Sequence, residues 1–214
     1  MTPWSQSVWE AALPVYRQIL TLPFVRELAD GTLSRERFAF YLGQDSLYLD
    51  IYSRVLAHTA SRLASKDHVE SFLRFALDGV EVERAMHSTF LKGDTPREMT
   101  PACLLYTSVL RAAGASPVEV EAASVLPCFW IYQEVGRSIL SQADLDTNPY
   151  SQWISTYADP TFAASTARAI AICDELAAGT TDDIRRAMTD IFVRCAKMEW
   201  LFWHSAYTLE KWKI

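Results

Sequence analysis

Three side chains capable of chemistry stand where apolar ones are expected. Asp45 lies in "FYLGQDSLYLDIY", residues 40–52, which contains nothing that breaks a helix. At ~100° per residue Tyr41, Asp45, Tyr48 and Tyr52 fall within an arc of roughly 60°, with Asp50 about opposite on a solvated side. Glu199 lies in "VRCAKMEWLFWHSAY" and shares a helical face with Met188, Phe192, Cys195, Trp203 and Ala206, while Lys197 points elsewhere. Cys128 follows Pro127 in "SVLPCFWIYQEVG", with Tyr132 one turn on.

Each residue has a chemical and a structural reading. A carboxylate among apolar neighbours is desolvated, which raises its pKa towards the range of a general acid or base. Glu199 fits that description, or it is a carboxylate held by a buried partner such as Arg or Tyr. A thiol beside a proline can be presented to a cavity, since Pro127 removes the hydrogen bond to Ala123 and should bend or interrupt its helix. Cys128 is otherwise a buried small hydrophobe, as lone cysteines commonly are. Asp45 either faces a pocket or tethers a neighbouring group in the core.

The elements that would position them are helices. Seven glycines in 214 residues, and long segments rich in Ala, Leu, Glu and Arg, point to an all-α chain. Periodicity places helices at about 5–20, 34–64, 67–91, 99–113, 117–142, 149–158, 161–178 and 181–212. Pro23, Pro96, Pro101, Pro149 and Pro160 fall between these segments as helix starts or connections. Ser116-Pro117-Val118-Glu119 reads as a Ser cap with Pro at the first helical position. Thr181-Asp182-Asp183 opens the last helix with acids at the positive end of its dipole. "VEVE" at Val80 and Val118 alternates like a strand but is embedded in longer helical patterns. Residues 1–214 thus read as a single helical bundle domain with no linker or internal repeat.

Composition narrows the function. A net charge of −6, with no cluster of Lys and Arg, argues against a nucleic-acid partner. The longest run free of charged side chains is 12 residues, short of the ~20 that a spanning helix needs. Glu10 precedes the first basic residue, Arg17, which is unlike a secretory signal. Cys103, Cys128, Cys173 and Cys195 show no CxxC or zinc-like pairing and suit a reducing, cytoplasmic setting. His58, His68, His87 and His204 form no HxxH or HExxH, and there is no Gly-rich phosphate loop and no GxSxG.

Taken in order, "FAFYLGQDSLYL", "LLYTSVL", "LPCFWIYQEVG", "YSQWISTYADPTF" and "MEWLFWHSAYTLEKW" resemble the motifs of the TenA, or thiaminase II, family, and they run from residue 38 to 212. That resemblance implies a helical domain of the haem-oxygenase-like type, assembled as a homotetramer. It implies hydrolysis of thiamin-related aminopyrimidines, converting 4-amino-5-aminomethyl-2-methylpyrimidine to the hydroxymethylpyrimidine in thiamin salvage, with thiamin cleavage as a lesser activity. Position by position, Cys128 matches the nucleophile of the cysteine-containing branch, Glu199 the catalytic glutamate and Asp45 the pyrimidine-binding aspartate. Tyr48, Tyr106, Tyr132 and Tyr157 match the tyrosines of the pocket, with Tyr150 as the alternative to Tyr157.

The residue types suit that chemistry on their own terms. A protonated aminopyrimidine offers two adjacent donors, which one carboxylate such as Asp45 can accept together. Protonation makes the ring electrophilic towards the Cys128 sulfur. Glu199 can give a proton to the leaving amine and take one from the incoming water, so no cofactor or metal is required. Two rivals remain: a di-metal oxidase using Glu81, Glu83, His87 and His204, and a non-catalytic carrier or sensor of thiamin pyrimidines.

Overall fold

A computed structural model describes residues 2–90 and 98–213, with side chains omitted for residues 82–90. Among the described residues there are nine helices: α1 (Trp4–Leu20), α2 (Pro23–Ala29), α3 (Arg35–Arg62), α4 (Lys66–Phe90), α5 (Pro101–Ala113), α6 (Val118–Leu140), α7 (Ser151–Tyr157), α8 (Pro160–Ala178) and α9 (Asp182–Thr208). The all-α expectation holds, and both "VEVE" copies are helical, in α4 and α6.

Side chains fix the helix starts. Ser34 accepts from the Arg37 amide, Thr100 from that of Cys103, Asp159 from that of Thr161 and Thr181 from that of Ile184. Pro101 and Pro160 occupy first-turn positions where no amide donor is needed.

The observed elements depart from the expected map in four places. Pro23, expected at a helix start or a connection, opens a seven-residue helix, α2, that the expected map lacks; seven residues are too few for a periodic signal. Ser116 does not cap α6: the cap position is Pro117, and the Ser116 carbonyl accepts from Arg62 Nη2 at 2.6 Å. The last helix ends at Thr208 rather than 212, with Leu209 left-handed at φ 52°. The tail then turns onto the start of α5: Glu210 Oε2 accepts from the Ala102 amide at 3.0 Å, and Trp212 Nε1 donates to the Met99 carbonyl at 3.0 Å. Finally, α6 continues through Pro127 without interruption, because its buried length is held by its neighbours.

One apolar core runs through the bundle, with α6 and α9 packed along much of their lengths and α3 and α5 beside them. Polar contacts lock these central helices in register. Gln44 spans from α3 to the start of α5, accepting from the Thr100 amide at 2.8 Å and donating to the Glu98 carbonyl at 3.1 Å. Tyr52 on α3 donates to the Val125 carbonyl on α6 at 2.9 Å. At the far end of α3, the buried Glu121 carboxylate of α6 takes both Arg62 and His58. Such a buried carboxylate is tolerated because it is fully paired. No helix among the described residues is long and apolar enough to cross a membrane.

Candidate active site

The central helices converge on a cavity of about 80 Å³, room for several waters and on the scale of one small ring. Asp45 and Tyr52 of α3, Cys128 and Tyr132 of α6, and Tyr157 of α7 are in its wall. Phe75, Phe129 and Phe162 supply apolar faces, and Asp78, Gly79 and Ser165 complete one side. Asp78, Phe162 and Ser165 also border a wider outer groove.

Cys128 differs from the other three cysteines. Cys103, Cys173 and Cys195 are buried, whereas Cys128 is part-exposed, towards the cavity it lines. Its thiol is held well above the ordinary range, first by burial and then by the Glu199 carboxylate, with Asp45 adding to the effect. The neighbouring Tyr48 and Tyr52 hydroxyls act in the opposite direction. No cation is among the groups that shift it, so a resting thiolate is disfavoured, and attack by this sulfur needs a base.

Glu199 is 1% exposed, and its Oε1 accepts from the Tyr106 hydroxyl at 2.7 Å. Its pKa is pushed up to about 8 by burial; the Tyr106 hydrogen bond opposes the rise and the Asp45 charge adds to it. Glu199 thus has a buried tyrosine partner, and burial raises its pKa into the range where a group can both accept and donate a proton.

Asp45, 7% exposed, belongs to the cavity wall rather than to solid core. Of the four tyrosines expected in the pocket, Tyr132 and Tyr157 line this cavity. Tyr48 and Tyr106 do not: their rings pack 4.8 Å apart, and the Tyr106 hydroxyl is turned to Glu199. Tyr150 is excluded from the wall: its hydroxyl is committed to the Leu33 carbonyl and its ring to Phe38, 4.4 Å away. Tyr132 is braced on three sides, by Tyr157 at 5.0 Å, by Trp203 at 4.9 Å and by the Tyr41 hydroxyl, which donates to its oxygen at 3.3 Å.

Sequence reasoning missed two residues of the site. Tyr52 lines the cavity and bears on Cys128, yet its membership of the α3 stripe is the only sign of this in the sequence. Gly136 is needed because α7 crosses α6 there: a Cβ on it would meet the Tyr157 backbone carbon and oxygen at 2.8 Å. Of the residues of the di-metal alternative, Glu81 and His204 are exposed, and His204 stacks on Trp200 at 4.9 Å. The Glu83 and His87 side chains lie outside the described residues.

Sequence and fold comparisons agree with this geometry. The chain is 36% identical, over 98% of its own length, to the "Thiamine biosynthesis multifunctional protein ThiED" of Corynebacterium efficiens, and it spans only 29% of that protein. It is 32% identical to the "Aminopyrimidine aminohydrolase" of Bacillus subtilis, over 89% of this chain and 84% of that one. Among solved structures, the TenA homologue from P. horikoshii OT3 superposes with a TM-score of 0.85 at 26% identity, covering 97% of this chain and 99% of that one. A Shewanella denitrificans OS217 domain of unknown function, described as having a heme oxygenase-like fold, matches with a TM-score of 0.73 at 14% identity, covering 95% of this chain and 92% of that one. That likeness shows the fold: an all-α bundle of the haem-oxygenase-like type. A family model described as TENA/THI-4/PQQC matches residues 9–209, and the chain belongs to that family.

Proposed function

We propose that the chain is an aminopyrimidine aminohydrolase that converts 4-amino-5-aminomethyl-2-methylpyrimidine to the hydroxymethyl product and ammonia, with thiamin cleavage as a side activity. The observation that carries this reading is the meeting of Asp45 and Cys128 in one cavity wall, close to a glutamate whose pKa is about 8. The name of the Bacillus subtilis relative supports the same substrate class.

In this reading Asp45 accepts the exocyclic amino group and the protonated ring nitrogen together, which fixes the ring and makes it electrophilic. Cys128 adds to a ring carbon and raises electron density in the ring. The C–N bond at the 5-substituent then breaks, with Glu199 giving its proton to the departing amine. Water adds to the exposed methylene carbon and loses a proton to Glu199, and the sulfur leaves. Tyr132 and Tyr157 pack against the ring. Tyr48 and Tyr106 organise the thiol and the glutamate.

A carrier of pyrimidines would need the Asp45 cradle but not a thiol presented to the same cavity, so the hydrolase is preferred. A single domain over residues 1–214, acting in the cytoplasm as a homotetramer, completes the proposal. The test is ammonia release from a panel of 5-substituted aminopyrimidines. Turnover of the aminomethyl compound is expected, and binding without release would favour the carrier. Light scattering tests the tetramer, and metal analysis of protein made in iron-rich medium tests the oxidase, which requires a stoichiometric metal pair.

A further inference from the structure

Gly79 lies near the middle of α4, on the inward face of that helix. At ~100° per residue it falls within about 40° of Phe72 and Phe75, both of which are buried. An apolar side chain is expected at such a position, and glycine weakens a helix interior relative to alanine. The two usual reasons for a glycine are absent among the described residues. Its φ is not positive, and a Cβ built on it would have no heavy atom within 4 Å. Gly136 is the contrast, since a Cβ there would meet the Tyr157 backbone. Open space therefore stands where a side chain at position 79 would be, and Gly79 is in the wall of the cavity that Asp45 and Cys128 share.

That space adjoins a second one. Asp78, the neighbour of Gly79, borders both the cavity and the outer groove, as do Phe162 and Ser165 of α8. The cavity, at about 80 Å³, is on the scale of one small ring, whereas the groove offers about 520 Å³. Resting on the hydrolase reading, we propose that Gly79 is a specificity-determining residue: the space left by its missing side chain is the passage through which the group attached at the pyrimidine 5-methylene extends from the cavity into the outer groove. The pyrimidine ring fills the inner cavity, so whatever its methylene carries must lie beyond it. An amino group needs no passage. The thiazolium of thiamin does, because it is a second ring. The described lining of the groove includes the carboxylates of Asp78, Glu81 and Asp159 and no Lys or Arg, which suits a leaving group that arrives as a cation. Gly79 thereby sets the balance between the two proposed activities by size. A side chain at this position opposes the larger substrate with a clash that the smaller one does not meet. Gly79 contacts no reacting atom in this account, and its part is selection rather than chemistry.

The test compares Gly79→Ala and Gly79→Leu with the wild type on two substrates, 4-amino-5-aminomethyl-2-methylpyrimidine and thiamin. Gly79→Ala adds a Cβ in open space and a better helix former, so its melting temperature should match or exceed that of the wild type. A fall would mean that the glycine is kept for packing, and would overturn the proposal. In Gly79→Leu the ratio of kcat/KM for thiamin to kcat/KM for the aminomethyl compound should drop by ~10-fold or more, with Gly79→Ala between it and the wild type. An unchanged ratio, whether both activities are kept or both are lost together, would overturn the proposal. So would a Gly79→Leu chain that does not fold, because the space would then be closed. Calorimetry with thiamin and with the hydroxymethylpyrimidine reads the same selection without turnover. Wild-type protein that releases no ammonia would overturn the hydrolase reading alone. A loss of thiamin affinity in Gly79→Leu that exceeds the loss for the hydroxymethyl compound would still support the passage, and equal losses would overturn it.

Discussion

Gly136 and Tyr157 are in contact through backbone: a methyl group on Gly136 would lie 2.8 Å from the Tyr157 carbonyl carbon and oxygen and 2.9 Å from its Cβ. The glycine lets α7 approach α6 closely enough for the Tyr157 ring to reach the cavity and to pack on Tyr132 at 5.0 Å. A side chain in the way could rotate aside, but a backbone carbonyl cannot.

Gly136→Ala should therefore move α7 outward. Overpacking of this kind costs about 1–3 kcal/mol, a fall in melting temperature of roughly 2–10 °C for a chain of this size. Because Tyr157 moves with the backbone, kcat/KM should fall with stability even though no reacting group is altered. A melting curve and a turnover assay on the same preparation decide the point. Wild-type values for both would mean that the contact is relaxed at no cost.

Glu199 should weaken the fold in return for its chemistry. Its folded-state pKa of about 8 lies above its ordinary 4.5. Below pH 4.5 it is protonated in both states and has no effect on stability. Between 4.5 and 8 the unfolded chain releases a proton that the folded chain keeps, so stability falls as pH rises through that window and levels off above it. At pH 7 the loss is about 3 kcal/mol. Glu199→Gln removes this titration while its amide oxygen can still accept from Tyr106. Its melting temperature should match the wild type near pH 4.5 and exceed it by roughly 5–10 °C at pH 7. A lower melting temperature at pH 7 would show that the carboxylate is held for stability.

The same value sets the pH dependence of turnover. The competent enzyme carries one proton shared between Cys128 and Glu199. Because the thiol titrates well above its ordinary range, the pair reaches that state when Glu199 ionises. The kcat/KM profile should accordingly rise through about pH 8 and stay high beyond it. A profile that falls through pH 8 would mean that Glu199 must enter the reaction protonated together with a protonated thiol.

What the sequence discloses about this site follows from what periodicity measures. Asp45, Glu199 and Cys128 are legible because each interrupts an apolar face or follows a proline inside a helix, and local pattern is enough to register both. The layering of the tyrosines is not legible. Tyr48 and Tyr52 lie on the same stripe of α3, yet only Tyr52 lines the cavity: Tyr52 reaches α6, donating to the Val125 carbonyl, whereas Tyr48 packs on Tyr106 of α5. Gly136 is visible as a letter in a motif, but its reason is a contact with Tyr157, which is distant in sequence. The early end of α9 likewise depends on residues far away along the chain: the Ala102 amide donates to Glu210 and the Met99 carbonyl accepts from Trp212.

Asp45→Asn separates the two readings of the residue that breaks the tyrosine stripe. If Asp45 receives the paired donors of a protonated aminopyrimidine, asparagine can accept one and must set its own amide donor against the other. The loss of a hydrogen bond to a charged group is worth about 1.5–3 kcal/mol, or roughly 10–100-fold in affinity for the hydroxymethyl product. A second effect accompanies it. The Asp45 charge helps to raise Glu199, so removing that charge should move the rising limb of the kcat/KM profile to below about pH 8. The two readouts are independent, since a residue that only tethers the core alters neither the affinity of the folded protein nor its pH profile by this route. Product affinity from calorimetry and a full pH profile of the variant provide the check. Unchanged affinity together with an unmoved limb would return Asp45 to a purely structural role.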